Sequence, residues 1–151
     1  MEEGLNHFLN NWFAGYMDGL LSLDGEQQDI FFSACGKACA DSYTAERFRE
    51  AWKSANGDLP QFLEHLGHIF PESEYSLIEN NKIEVKYNHC ACDLVEKGWV
   101  DNPMQCLCSL HNLKVNFEVA MEREIKVELK ESILAGSEQC CFLVSWSLLG
   151  C

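Results

Sequence analysis

The chain is short of positive charge. Eleven lysines and arginines stand against 24 aspartates and glutamates, a formal net charge of −13 over 151 residues. That sign repels phosphate backbones and anionic headgroups, so neither a nucleic acid nor a membrane surface is expected as a partner. The acids are dispersed, which reads as solvated faces and not as a metal trap. No apolar run approaches the ~18–20 residues that span a bilayer. The opening Met1-Glu2-Glu3 lacks the basic segment of a secretory leader, so a cytoplasmic location is expected, where thiols stay reduced. Also missing are a nucleophile elbow, a phosphate loop, a dinucleotide fingerprint and a zincin motif. The chain has no internal repeat, low-complexity tract or linker. Residues 1–151 therefore read as a single domain, with a helical half at about 1–70 and a sheet half at about 72–151.

What is abundant is cysteine, nine residues in all. An odd number in a reducing compartment argues against a disulfide framework. Clustered reduced thiols point to a metal, a redox pair or a nucleophile, beside the plainer reading of small core hydrophobes.

The first half reads as helices. Over 4–22, Leu5, Phe8, Leu9, Trp12, Phe13, Tyr16, Met17 and Leu20 form one stripe at 3.6-residue spacing. That stripe is core, or else a face for a partner, which makes the N-terminal helix a candidate homodimer surface. Asp24 can cap a second helix over about 25–42, whose stripe carries Cys35 and Cys39 one turn apart. A third helix starts at Thr44 and stops at Asn56-Gly57. A fourth, capped by Asp58, carries Leu59, Phe62, Leu63, Leu66, Ile69 and Phe70.

After Pro71 the period becomes two. Strands are expected over 74–79 and 82–88 around an Asn80-Asn81 turn, with Ile83, Val85 and Tyr87 facing in. Residues 104–121 return to helical spacing. Two further strands, about 124–134 and 138–147, flank Ala135-Gly136-Ser137, with Cys140, Phe142, Val144 and Trp146 on one face. The expected fold is α+β, with N-terminal helices packed on a four-stranded antiparallel sheet and a ββαββ C-terminal half.

The chemistry concentrates in Tyr87–Asp93 and Gln105–Ser109. Cys90 and Cys92 form one Cys-x-Cys pair, Cys106 and Cys108 the other. Tetrahedral zinc needs thiolates in a tight cluster. Residues i and i+2 of a straight strand lie too far apart for that, so at least one pair belongs in a loop or a helix start. Cys106 and Cys108 fall at a helix start, where the macrodipole favours thiolate. Cys90 and Cys92 need a strand end or bulge near Asn88 to turn inward. The expected metal set is Cys90, Cys92, Cys106 and Cys108, with Cys35, Cys39 and Cys140 converging on it and zinc as the cofactor. Glu131, inward by the two-residue period, is a candidate buried acid or base. Tyr87, His89 and His111 are expected to line the same space.

Cys35-Gly-Lys-Ala-Cys-Ala40, Tyr87-x-x-Cys90-x-Cys92, Cys106-x-Cys108-Ser109, the run Val127–Leu134 and Gly136-x-x-x-Cys140-x-Phe142 together resemble the bacterial L-2-amino-thiazoline-4-carboxylic acid hydrolase-like family. More distantly they are similar to the vinyl-reductase-type small-molecule-binding domain. The resemblance covers about 30–147. It implies helices on an antiparallel sheet and a pocket for a small ligand or metal, with Cys90, Cys92, Cys106, Cys108 and Cys140 at the family's cysteine positions. Cys141 departs from the pattern, where a polar residue is usual, and so does Gly136-Ser137.

Two functions follow as expectations. The favoured one is a cysteine-rich module that binds a metal or small ligand and serves as sensor or accessory domain. The alternative is a thiol-dependent hydrolase, with Cys108 as nucleophile and His89 or Glu131 carrying the proton.

Overall fold

In the computed structural model, which describes residues 1–148, helices cover one face of a four-stranded antiparallel sheet. The helical half comprises α1 (Glu2–Leu21), α2 (Gly25–Cys39), α3 (Ala45–Ser54) and α4 (Leu59–Ile69). The sheet half comprises β1 (Ser73–Glu79), β2 (Lys82–Tyr87), α5 (Asp93–Glu96), α6 (Cys106–Met121), β3 (Lys126–Glu131) and β4 (Cys140–Ser145). The sheet order is β1-β2-β4-β3, so two sequential hairpins pair through β2 and β4. This is the α+β arrangement that the change of period at Pro71 predicts.

Local chemistry explains most boundaries. The Asp24 carboxylate accepts from the Gln27 N–H at 2.8 Å, and the Gln27 side-chain oxygen accepts from the Asp24 N–H at 3.2 Å, a reciprocal capping box that fixes the start of α2. Asp58 caps α4 through the Gln61 N–H at 3.0 Å. Glu122, at φ 51°, ends α6 in the left-handed region.

Two boundaries differ from expectation. No loop separates α2 from α3. A single π-helical turn, Ala40–Thr44, joins them, with fully buried Ala40 inside it. The last two strands are also shorter than their alternating patterns, and the register between β3 and β4 slips between Leu129 and Glu131.

The core lies between sheet and helices. Ile83, Val85, Phe142 and Val144 rise from β2 and β4 to meet Phe48, Phe62, Leu113 and Phe117. At its centre the Phe48 and Phe117 rings meet edge to face with centroids 5.2 Å apart. The helices α2 and α6 approach most closely at Gly36, where an added Cβ would stand 2.6 Å from the His111 Cβ and 2.8 Å from both the Cys108 carbonyl oxygen and the Asn112 nitrogen.

By contrast, α1 is held by a few contacts near its inner face. Phe13 stacks on Trp99 at 5.6 Å, and the Trp99 indole donates to Asn6 at 2.9 Å. Met17 and Leu20 are buried, while Leu5, Phe8 and Trp12 are exposed. The stripe read as one surface is thus split between core and solvent. No helix of the described residues is long and apolar enough to cross a membrane.

Candidate functional site

Where the two halves meet, the structure encloses a cavity of about 490 Å³. Each part of its wall has a local cause. The strand β2 ends at Tyr87, so the following segment leaves the sheet and presents Cys90 and Cys92 to the cavity. That is the strand break the spacing of these cysteines requires. Asn102 caps a short 3-10 turn, Pro103–Gln105, which leads into α6 and aims Cys106 and Cys108 at the same space. The close approach at Gly36 brings in Cys35 and Cys39 from α2, and β4 supplies Cys140. All seven cysteines expected to converge therefore line one cavity.

Convergence on a cavity is a looser arrangement than a ligand set. Among the described residues, no group of three or more His, Cys, Asp or Glu side chains is placed to hold a metal ion. The cysteines divide by partner. Cys106 and Ser132 lie 3.1 Å apart, Sγ to Oγ, and the Ile133 N–H donates to Cys140 Sγ at 3.4 Å. Across the cavity, the Gln105 amide reaches Cys92 Sγ at 3.9 Å, and its oxygen accepts from the Tyr16 hydroxyl at 3.3 Å. Among the described residues the thiols are not grouped as the zinc tetrad that the spacing suggests, and no step below depends on a metal.

Burial also disfavours the thiolate at five of the seven. Burial pushes the Cys35, Cys39, Cys90 and Cys106 thiols up. Cys108 is pushed up to about 12, by burial first and then by Cys39, Cys92 and Cys35. This reverses the expectation that the start of α6 would favour thiolate. The first turn opens into apolar space, where desolvation of the anion outweighs the macrodipole. Since the thiolate is the reactive form, iodoacetamide at pH 8 should modify Cys108 in the native protein more than tenfold slower than in the unfolded chain. Peptide mapping by mass spectrometry would measure this, and equal rates would show that the thiol is not shielded.

The acid–base partners expected beside Cys108 are elsewhere. His89 is exposed and pairs with Glu72 at 2.9 Å. It borders a second cleft of about 370 Å³, which shares Phe70, Ser73, Tyr87 and Ala91 with the first. Glu131 does not face inward. The register slip places it opposite Cys141, in the row of Lys86, and it is exposed, accepting from Gln139 at 2.9 Å. One extra residue in a strand inverts the side chains beyond it, which a strict period of two misses. His111 turns away to Asp29 at 2.8 Å. Tyr87 does line the cavity.

Three further polar residues lie in the wall. Thr44 donates to Asn116 Oδ1 at 2.9 Å, Asn116 donates to Asn112 Oδ1 at 3.0 Å, and Asn112 donates to Thr44 Oγ1 at 3.4 Å. This closed ring leaves each amide a second N–H to offer. The signal for it is in the sequence: Asn116 interrupts the apolar stripe of α6 between Leu113 and Phe117 and is 1% exposed. The wall also carries the aromatic rings of Phe48, Phe70, Tyr75, Tyr87 and Phe142. Burial pushes the Tyr75 hydroxyl up to about 12 and Tyr87 well above its ordinary value, so both stay neutral. Asp93 is the one carboxylate among the lining residues described, and these include no lysine, arginine or histidine.

No family model and no curated protein matches the chain. Solved structures with similar folds do exist. The phenol-responsive sensory domain of the transcription activator PoxR, solved with phenol, superposes with a TM-score of 0.59 at 13% identity, over 91% of this chain and 73% of that one. Subunit 3 of the trafficking protein particle complex from Naegleria fowleri, covalently bound to palmitic acid, superposes with a TM-score of 0.57 at 9% identity, over 95% of both chains. At these identities the likeness is one of fold.

Proposed function

We propose that this chain is a small-ligand-binding module, a sensor or accessory domain, whose cavity takes an uncharged molecule with an apolar body and one hydrogen-bonding group. The observation that carries this reading is the lining. It combines aromatic rings with the Thr44–Asn112–Asn116 ring, and the described lining offers no cationic group to neutralise an anion. Pockets that take small molecules combine apolar walls with a few placed polar groups in this way, at volumes of roughly 300–1,000 Å³. Two proteins of similar fold support the ligand class, one solved with phenol and the other with palmitic acid. The hydrolase alternative gains nothing from this geometry, because Cys108 faces the cavity as a neutral thiol without His89 or Glu131 beside it.

The reading is tested by filling the cavity. Ser109 sits on α6 in the wall, half-buried. Ser109→Trp should weaken binding of phenol-type ligands at least about tenfold, because its side chain takes the ligand's space. Calorimetric titration of wild type and variant, with circular dichroism to check the fold, gives the comparison. Equal affinities would place the ligand elsewhere.

A further inference from the structure

The function proposed above leaves the thiols as mere lining, yet seven of them on α2, α6, β4 and the loop after β2 face one small space. Their charge balance limits what they can bind. A zinc ion held by four thiolates carries two net negative charges. The lining described offers no lysine, arginine or histidine to offset them, and the chain as a whole is at −13. The favoured occupant is one whose thiol complex is neutral and whose capture consumes protonated thiols. It also needs only two donors, since no three-donor group is placed for a metal ion among the described residues.

Trivalent organoarsenicals meet all three conditions. Resting on the ligand-cavity reading, we propose that the cavity captures an uncharged monoorganic trivalent arsenical, with Cys39 and Cys108 as the two arsenic-binding thiols and the aromatic wall holding the organic group. The step balances without an oxidant. R–As(OH)2 and two Cys–SH give R–As(S–Cys)2 and two waters. Two As–O bonds break, two As–S bonds form, each thiol proton leaves with a hydroxide as water, and arsenic stays trivalent.

The pair is chosen on geometry. The α2–α6 crossing is as close as backbones permit at Gly36, whose missing Cβ would stand 2.8 Å from the Cys108 carbonyl oxygen. Cys39 lies three residues further along α2. Cys39, Cys108 and Asn112, which lies one helical turn beyond Cys108, all line the same cavity. Burial is the largest cause raising both thiols, and after it the charge of Cys39 is the largest acting on Cys108. Cys39 is exposed and Cys108 half-buried, so arsenic would sit at the cavity mouth with its organic group directed toward the rings inside.

Phenylarsine oxide is the probe. The reduced protein should take up one equivalent by native mass spectrometry. The adduct should survive excess glutathione, a monothiol, and be stripped by the dithiol dimercaptopropanol. Cys39→Ser and Cys108→Ser should each weaken uptake about 100-fold, since either removes the second, intramolecular attachment. Cys141→Ser, with its partner row on β2 and β3, should change nothing. Should a serine variant fold poorly, wild type gives the same answer: bound phenylarsine oxide should protect Cys39 and Cys108, and not Cys141, from N-ethylmaleimide. Unchanged uptake by the double variant, loss of the adduct to glutathione, or absence of protection at Cys39 and Cys108 would overturn the proposal. Phenol titrated in parallel separates the two readings. Phenol binding without arsenical capture sinks this inference alone, whereas failure of both sinks the cavity reading as well.

Discussion

Phe117→Ala should lower the unfolding free energy by about 4 kcal/mol, the middle of the range for deleting a buried phenylalanine. Phe117 is fully buried on α6 and meets Phe48 at 5.2 Å and Phe62 at 5.9 Å, both edge to face. Each such pair adds about 0.5–1.5 kcal/mol beyond the area it buries. Phe48 and Phe62 come from α3 and α4, so one side chain couples three helices. Against a total stability of about 5–15 kcal/mol, the loss is large enough to leave a marginal protein. Urea denaturation followed by circular dichroism would measure it. A loss under about 1 kcal/mol would mean that the helices do not share this core.

Gly36→Leu should cost about 3 kcal/mol and disturb the cavity at the same time. Removing glycine from a helix interior normally stabilises by up to about 1 kcal/mol. Here the sign reverses, because the first added carbon already stands 2.6–2.8 Å from the His111 Cβ, the Cys108 carbonyl oxygen and the Asn112 nitrogen. Two of those atoms are backbone and cannot swing aside, so α2 and α6 must separate. Separation carries Cys35 and Cys39 away from Cys108 and opens the wall at Asn112. The melting temperature should fall by roughly 6–12 °C for a chain of this size. Ligand affinity should fall at 25 °C, where the variant is still folded. A variant as stable as wild type would show that the two helices are not in close contact.

Sequence patterns carried the fold because they are local. The change of period at Pro71, the capping residues Asp24 and Asp58 and the alternation through Ile83, Val85 and Tyr87 all report on neighbours in the chain. The cysteines were legible in the same way: their spacing required a strand end near Asn88, and β2 ends at Tyr87. What local pattern could not carry was distance across the fold. The slip at β3 that turns Glu131 outward depends on its pairing with β4. The side to which His111 turns depends on where Asp29 lies. The thiol character of Cys108 depends on apolar space opening at the first turn of α6, which no spacing reveals. The similarity to the amino-thiazoline hydrolase family rests on the cysteine spacings, the run Val127–Leu134 and the Gly136–Phe142 turn, and no family model supports it. The fold shared with a phenol-responsive sensory domain and a trafficking-complex subunit is what the structure shows. Asn116 could have been found from sequence, as an amide that interrupts the apolar stripe of α6 between Leu113 and Phe117.

The central claim is that the space between the cysteine-bearing segments and the sheet binds an uncharged, largely apolar ligand. Isothermal titration of the reduced protein with phenol-type aromatics and a medium-chain fatty acid, at several temperatures, tests it most directly. The account predicts saturable one-to-one binding to at least one of them, a negative heat-capacity change from apolar burial, and stronger binding of the neutral form of an ionisable ligand than of its anion. Folded, reduced protein that binds none of these ligands saturably at millimolar concentration, or that prefers the anion, would contradict it.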